Sequence, residues 1–461
     1  MPIENLNIMA GKPSIPKGTR DFSPNVLGKR NHIFDTIRSV YSLYGYMPIE
    51  TPAMELMETL TGKYGDEGDK LLFRVLNSGD FLKGVEDDVL QQRAIQSMAP
   101  KIADKGLRYD LTIPFARYVV QHRNDITMPF KRYQLQPVWR ADRPQKGRYR
   151  EFFQCDADVI GSTSLTNELE LIQMIDEVFS RLDVAVHIRV NNRKILYGVA
   201  EVAGLADQFY PFTIAIDKLD KIGVDGVAAE LKSLGCREDM ISRITQFVGM
   251  KGDNSEQMAA ITSLVSESEI GMKGVDEMNE LLQYHHLNGT RNALMVDITL
   301  ARGLNYYTGT IFEVNATDVA MGSLCGGGRY DDLTGVFGMP GLSGVGISFG
   351  ADRIYDVMEE LQKFGAIDPI RPQVLLINFG GDDMIYSLNA LFHLRKKGVA
   401  SELYPDAAKI KKQMTYADAR KIPFVVLAGE QERAKSCYTI KNMQSGEQQT
   451  VDLDGLVEML S

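Results

Sequence analysis

The sequence predicts a mixed α/β fold: a sheet-bearing unit interrupted by a helical insertion and followed by a C-terminal α/β domain. Three observations carry this. Two strand-like segments, KRYQLQPVWR (131–140) and FFQCDADVIG (152–161), flank a basic stretch too polar for a core, which predicts a long hairpin. From roughly 192 to 290 the texture changes to short, charged helices. Beyond a linker-like KFGAIDPIRP around 362–372, strands and helices alternate over about 90 residues, a plausible domain size.

In chain order, MPIENLNIMAGKPSIPKGTRDFSP has no apolar h-region and contains Glu4, so neither a secretory signal nor a transit peptide is expected. Leu27, Ile33, Phe34, Ile37, Val40, Tyr41 and Tyr44 recur at helical spacing over 26–44, and Gly45 ends that helix. The two prolines of YMPIETPAM predict an extended edge segment. GLRYDLTIPFARYV (106–119) reads as a strand, a turn and a helix start, with Thr112 placed to cap before Pro114. Helical spacing returns at 167–182. Within 192–290, apolar residues at i, i+3 and i+4 predict a small independent core. ALMVDITL, TIFEVNA and GVGISFG read as strands, the last leading into a helix with Ile354, Val357, Met358 and Leu361 on one face. QVLLINFG, ASELYP, PFVVLAG and CYTIKNM alternate with helices at the end. The expected parts are 1–191, 192–290, 291–364 and 372–461.

The 461 residues are 44% hydrophobic and 24% charged, ordinary for a globular chain, and no run of eighteen apolar residues predicts a membrane span. Cys155, Cys236, Cys325 and Cys437 lie far apart without CxxC spacing. No metal site or disulfide framework is expected, and a reducing cytoplasm fits best. A net charge of −10 argues mildly against nucleic-acid binding, although clustered Lys and Arg matter more than the total.

Alternation along 152–161 puts Phe153, Cys155, Ala157 and Val159 on one face, with Phe152, Gln154, Asp156 and Asp158 on the other. A solvated sheet face is the ordinary explanation of the second set. The loop adds Arg143, Lys146, Arg148 and Arg150, with Arg140 before it. A solvated charge run is again the ordinary explanation. Cations this dense beside carboxylates also suit phosphates on one side and an amino acid on the other. Arg353 falls in a first helical turn, where a cation opposes the dipole and needs an anionic partner. Gly326–Gly328 alone mark a flexible turn more often than a phosphate cradle.

One resemblance joins these pieces. R-x-D-R-P-Q-K-G-R-Y-R-E-F-x-Q (140–154) is similar to motif 2 of class II aminoacyl-tRNA synthetases, and to the histidyl version in particular. ARGLNYYTGTIFEV (301–314) and GSLCGGGRYDDL (322–333) resemble the two signature blocks of histidyl-tRNA synthetases, Asn305 departing where that family has Asp. GLRYDLTIPFARYV resembles the segment that binds the α-ammonium group, and GVGISFGADRIYDVM resembles motif 3. Asp110 and Asp158, where many bacterial members carry Glu, resemble the eukaryotic-type branch. KGTRDFSP is similar to the family's opening. The helix at 26–44 with Pro52 resembles motif 1, the dimer element. KIKKQMTYADARKIPFVVLAGEQE resembles the class IIa anticodon-binding domain.

The resemblance implies an antiparallel sheet flanked by helices and a two-step reaction. L-Histidine is activated with ATP to the adenylate and pyrophosphate, then passed to the 3′ end of tRNA(His). It implies Arg140 and Arg302 as catalytic cations at the α-phosphate. Asp110, Thr112 and Gln154 would hold the α-amino group. Asp158, Tyr306, Tyr307 and Tyr330 would line the imidazole pocket. Arg140, Asp142, Arg148, Phe152 and Arg353 would bind ATP, whose phosphates carry Mg²⁺. Arg143, Gln145, Lys409, Lys411 and Lys412 would face tRNA. A cytoplasmic homodimer is implied. The alternative is a non-catalytic paralogue of the family, regulatory or RNA-binding.

Overall fold

The computed structural model describes residues 12–62, 68–250, 252–301, 306–365 and 371–460. The first helix runs Pro24–Leu43; the Ser23 hydroxyl accepts from the Val26 amide and Pro24 opens the first turn. Its buried stripe is Ile33, Ile37, Val40 and Tyr41. Gly45, at φ +79°, reverses the chain into β1 (Met47–Pro48). The short β2 (Met54–Leu56), β3 (Arg74–Val75) and β4 (Lys105–Leu107) form a separate sheet in the order β2-β4-β3.

The main sheet has eight strands. It adds β5 (Phe130–Trp139), β6 (Glu151–Ile160), β7 (Val186–Asn192), β8 (Ala293–Val296), β9 (Thr310–Ala316), β10 (Cys325–Tyr330) and β11 (Gly344–Gly350), in the order β1-β5-β6-β11-β10-β9-β7-β8. Its interior pairs are antiparallel, as expected. The pairs at its two ends, β1 with β5 and β7 with β8, are parallel. β1 is an edge strand, where the missing proline amide breaks no ladder. Two strands of the main sheet escaped the sequence reading. VHIRVNN (β7) lies between helical segments and carries two polar residues at its end. Gly326–Gly328, taken for a flexible turn, sit inside β10, between β9 and β11.

Among the described residues, six α-helices and a short 3-10 helix lie between Arg193 and Asn288, in the predicted insertion. The separate core expected there is not found. Ile195, Ile244, Ile261 and Met278 belong to one contiguous apolar cluster with Ile37, Ile175, Ile188 and Val314 of the sheet and its covering helices. Helical periodicity reports that a face is buried, not against which partner. Thr112 also behaves differently from expectation. It begins the helix Thr112–Gln121, but the Asp110 carboxylate, not the threonine hydroxyl, accepts from the Ile113 amide at 3.2 Å.

The chain divides into two compact units, 1–367 and 368–461. The second holds a five-stranded sheet in the order β13-β12-β14-β15-β16: β12 (Val374–Leu376), β13 (Ser401–Leu403), β14 (Phe424–Leu427), β15 (Tyr438–Asn442) and β16 (Gln448–Val451). The β-α-β alternation is as expected; β16, with only Val451 partly buried, had no apolar run to announce it. Among the described residues no helix is long and apolar enough to cross a membrane.

Candidate active site

One row across the main sheet organises the site. The ladder aligns Arg132 on β5 with Asp158 on β6, Asp158 with Gly346 on β11, and Gly346 with Gly328 on β10. A side chain at Gly346 would collide with the Asp158 carboxylate, and one at Gly344 with the Tyr330 ring. The ring of Tyr307 borders the space beside Gly328. The glycines are there because neighbouring side chains need their room. Gly327 lies against β11 backbone, Gly328 against the Thr310 carbonyl and the Tyr307 and Ile311 side chains, and of the three glycines Gly326 lines the cavity.

Asp158 is 2% exposed; its Oδ1 accepts from the Tyr330 hydroxyl at 2.7 Å, and its Oδ2 lies 2.6 Å from Arg132 Nη2. Burial pushes the carboxyls of Asp156 and Asp158 up, and Arg132 opposes the rise. Burial beside these carboxylates also raises Tyr307 and Tyr330 well above the usual phenol range. Tyr306 packs edge-on against Tyr307 and Tyr330, with centroids 5.0 and 6.2 Å apart.

A cavity opens beside this row. Asp110, Thr112, Arg140, Asp142, Arg148, Phe152, Gln154, Tyr306, Tyr307 and Arg353, all singled out in the sequence, line it together. Asp158 and Tyr330 do not line it; they are buried next to Tyr307, so the expectation that Tyr330 lines the pocket is corrected. Gly344 lets its ring pack against β11, and its hydroxyl is spent on Asp158. Arg143 and Gln145 are exposed on the hairpin loop outside the lining. Arg302 and Asn305 lie outside the described residues.

The cavity's charges differ in how they are held. Arg140 Nε donates to the Tyr109 carbonyl at 3.1 Å, and its guanidinium lies 4.2 Å from the Tyr109 ring and 5.2 Å from Phe152. Arg353 donates to the carbonyls of Gly147 and Ser323 at 2.8 and 2.7 Å, which ties the motif-3 helix to the hairpin loop. These carbonyls answer part of its need for a partner. Gln154 Nε2 donates to Ser348 Oγ at 2.8 Å, while its buried Oε1 has no hydrogen-bond partner among the described residues. That leaves an acceptor for a ligand's N–H. Arg108 is 1% exposed and donates to the carbonyls of Thr51 and Pro137, which fixes the turn that delivers Asp110.

Sequence reasoning missed two members. Asp352, 2% exposed, pairs with Arg20 and Arg30 and accepts from the Phe153 amide at 2.9 Å. It joins the N-terminal segment, the first helix and the helix Ala351–Glu360 to β6. The other is Arg132. Its signal was a second basic residue beside Lys131 near the start of a strand; the structure sets it across from Asp158.

In the lysine-rich part of the second unit, Lys409, Lys411 and Lys412 are exposed around the start of the helix Ile410–Ala419. Arg420 pairs with Glu402 at 2.7 Å, and Lys421 lies 3.8 Å from Asp418.

The model of the histidyl-tRNA synthetase family matches residues 18–354, and that of an anticodon-binding domain matches 373–461. A histidine–tRNA ligase of Porphyromonas gingivalis is 58% identical over 443 residues, covering 96% of this chain and 98% of its own length. One from Bacteroides fragilis is 56% identical over 453 residues, covering 98% of this chain and all of its own. The crystal structure of histidyl-tRNA synthetase from Nostoc sp. PCC 7120 superposes with a TM-score of 0.80 at 32% identity, over 97% of this chain and 98% of that one. A protein of Bacillus halodurans described as an ATP phosphoribosyltransferase regulatory subunit/histidyl-tRNA synthetase shares the fold, with a TM-score of 0.71 at 21% identity. Nothing in these likenesses favours a non-catalytic role. The chain belongs to the histidyl-tRNA synthetase family.

Proposed function

We propose that the cavity joins L-histidine to ATP as histidyl-adenylate and then passes histidine to tRNA(His), with the residues above in defined roles. The observation that supports this reading is that Tyr306 and Tyr307, backed by the buried Asp158–Tyr330 pair, meet an arginine-bearing loop in one cavity. A neutral imidazole has one donor and one acceptor nitrogen. Asp158 can accept from the first, and the Tyr307 hydroxyl can serve the second. A site that satisfies both rejects apolar isosteres, which would leave its own polar groups unpaired. Asp110, Thr112 and the open Gln154 Oε1 suit the α-ammonium group.

In the first step a histidine carboxylate oxygen bonds to the α-phosphorus and pyrophosphate leaves. Charge grows on the α-phosphate, where Arg140 and Arg302 would stabilise it. Phe152 offers a stacking face for adenine, and Arg148 and Arg353 suit the outer phosphates. Mg²⁺ would shield those phosphates. The ion would be held mainly through ATP phosphate oxygens. In the second step a terminal ribose hydroxyl of tRNA attacks the adenylate carbonyl and AMP leaves.

Three lysines at the start of a helix oppose its dipole. RNA phosphate would answer them, which suits Lys409, Lys411 and Lys412 to tRNA; Arg143 and Gln145 on the exposed loop suit the acceptor end. Leu43, Met47 and Met54 are 67%, 53% and 50% exposed around the first helix and the edge strand, which supports a homodimer through this face. Sedimentation equilibrium at micromolar protein checks it; a monomer would refute it. A role in translation and four free cysteines suit the cytoplasm.

The direct test is amino-acid-dependent ATP–pyrophosphate exchange with each of the twenty amino acids. Histidine alone should support rapid exchange. Exchange with another amino acid, or with none, would refute the reading.

A further inference from the structure

Arg132 is 0% exposed, and its guanidinium lies over the Phe115 ring, 4.2 Å from its centroid. Its Nη2 is 2.6 Å from Asp158 Oδ2 and 4.0 Å from Asp156 Oδ2. These are ion pairs without hydrogen-bond angles: Nε, Nη1 and Nη2 have no hydrogen-bond partner among the described residues. A guanidinium buried this way is costly, and an apolar side chain would fill the same place more cheaply. The ladder puts Arg132 directly across from Asp158, on the side away from Gly346.

We propose that Arg132 is a positioning residue for histidine selection: it holds Asp158 in place and in its charged form, as a pure acceptor for the imidazole N–H. The inference rests on the reading of Asp158 given above. The groups around Asp158 make the point. Asp156 from its own strand adds negative charge, and Asp110, from the turn before Thr112, bears on Asp156 in turn. Tyr330 and Tyr307 bring hydroxyls that stay protonated. Arg132 is the cation that the structure pairs with Asp158. Without it, two buried carboxylates share one place and a proton binds. A protonated Asp158 presents an O–H toward the ring and no longer favours imidazole over a ring that accepts.

The test measures ATP–pyrophosphate exchange by the full chain between about pH 7 and 9, where the substrate's imidazole is neutral. Arg132→Met should raise KM for histidine by about tenfold or more at the lower pH, and the gap should close as pH rises and Asp158 ionises unaided. KM for ATP should stay near the parent value, and Arg132→Lys should restore much of the loss. A rise by the same factor at every pH, or an equal rise in KM for ATP, would make Arg132 merely structural and overturn the proposal. Asp158→Asn separates the two ideas. If it leaves KM for histidine unchanged, the reading of Asp158 is wrong. If it raises KM while Arg132→Met does not, Arg132 is wrongly assigned. Should Arg132→Met fail to fold, Asp156→Asn decides. With the competing carboxylate gone, the acid limb of kcat/KM for a triazole analogue of histidine, whose ring stays neutral, should move to lower pH. An unmoved limb overturns the proposal.

Discussion

Asp158 and Arg148 belong to one site and hold their charges in opposite ways. Asp158 is buried, with a tyrosine on one oxygen and an arginine beside the other before any ligand arrives. Arg148 stands exposed on a hairpin loop at the cavity's edge. A buried group of fixed partners can report small differences in a ligand's hydrogen bonding, because any mismatch leaves something unpaired. An exposed cation adapts, and its partner must bring the opposite charge. The first arrangement suits selection of a side chain, the second the capture of a polyphosphate. Arg140 falls between them, half-buried and braced by Tyr109 and Phe152.

The largest expected effect lies with that intermediate class. Arg140→Ala should lower kcat for adenylate formation about 10²–10³-fold, far more than it raises KM, since it would remove a donor aimed at charge that develops during transfer. Arg302→Ala should behave alike, and Arg302→Lys should not rescue fully, because a point charge cannot reproduce the fork. Rapid-quench measurement of adenylate formation beside a melting curve checks both. A destabilised variant with an unchanged rate would make either arginine structural and blur the comparison.

A smaller effect is expected where charge is wholly exposed. Replacing Lys409, Lys411 and Lys412 together with alanine should raise KM for tRNA in charging by roughly tenfold and flatten its salt dependence by two to three, at about one unit per phosphate contact. Pyrophosphate exchange should not change. Unaltered salt dependence would remove these lysines from the RNA-facing surface.

The smallest effect concerns the buried end and stability. Burial raises the Asp156 carboxyl to about 7. A carboxyl that binds its proton more tightly when folded favours the fold below its ordinary value near 4 and loses that contribution as pH climbs through the folded value. Asp156→Asn should therefore melt a few degrees above the parent at about pH 8, with the gap closing toward about pH 5. A constant gap would mean that Asp156 does not titrate in this range.

The same contrast explains what the sequence made legible. The hairpin, its two faces and the loop cations could be read directly, because alternation and a dense basic run are local patterns. That Asp158 meets Tyr330 could not be read without the family likeness, since 172 positions separate them and the contact depends on room left by Gly344 and Gly346. Gly326–Gly328 looked like a turn because glycine's freedom is visible in a sequence and the neighbour that needs its space is not. The insertion's periodicity predicted buried faces correctly and their partner wrongly, because the packing surface is the sheet and its helices. Asp352 went unnoticed beside Arg353, its three partners being scattered from Arg20 to Phe153.

A crossed pair of variants tests the division of labour most directly. Gly346→Ala would drive a methyl group against the Asp158 carboxylate, and Arg148→Ala would remove an exposed cation at the cavity's edge. Steady-state exchange kinetics with both substrates should give a crossed result: the first raises KM for histidine about tenfold with little change for ATP, and the second raises KM for ATP with little change for histidine. If both variants raise both constants together, the two ends do not act separately, and the account of a buried selector beside an exposed phosphate clamp is wrong.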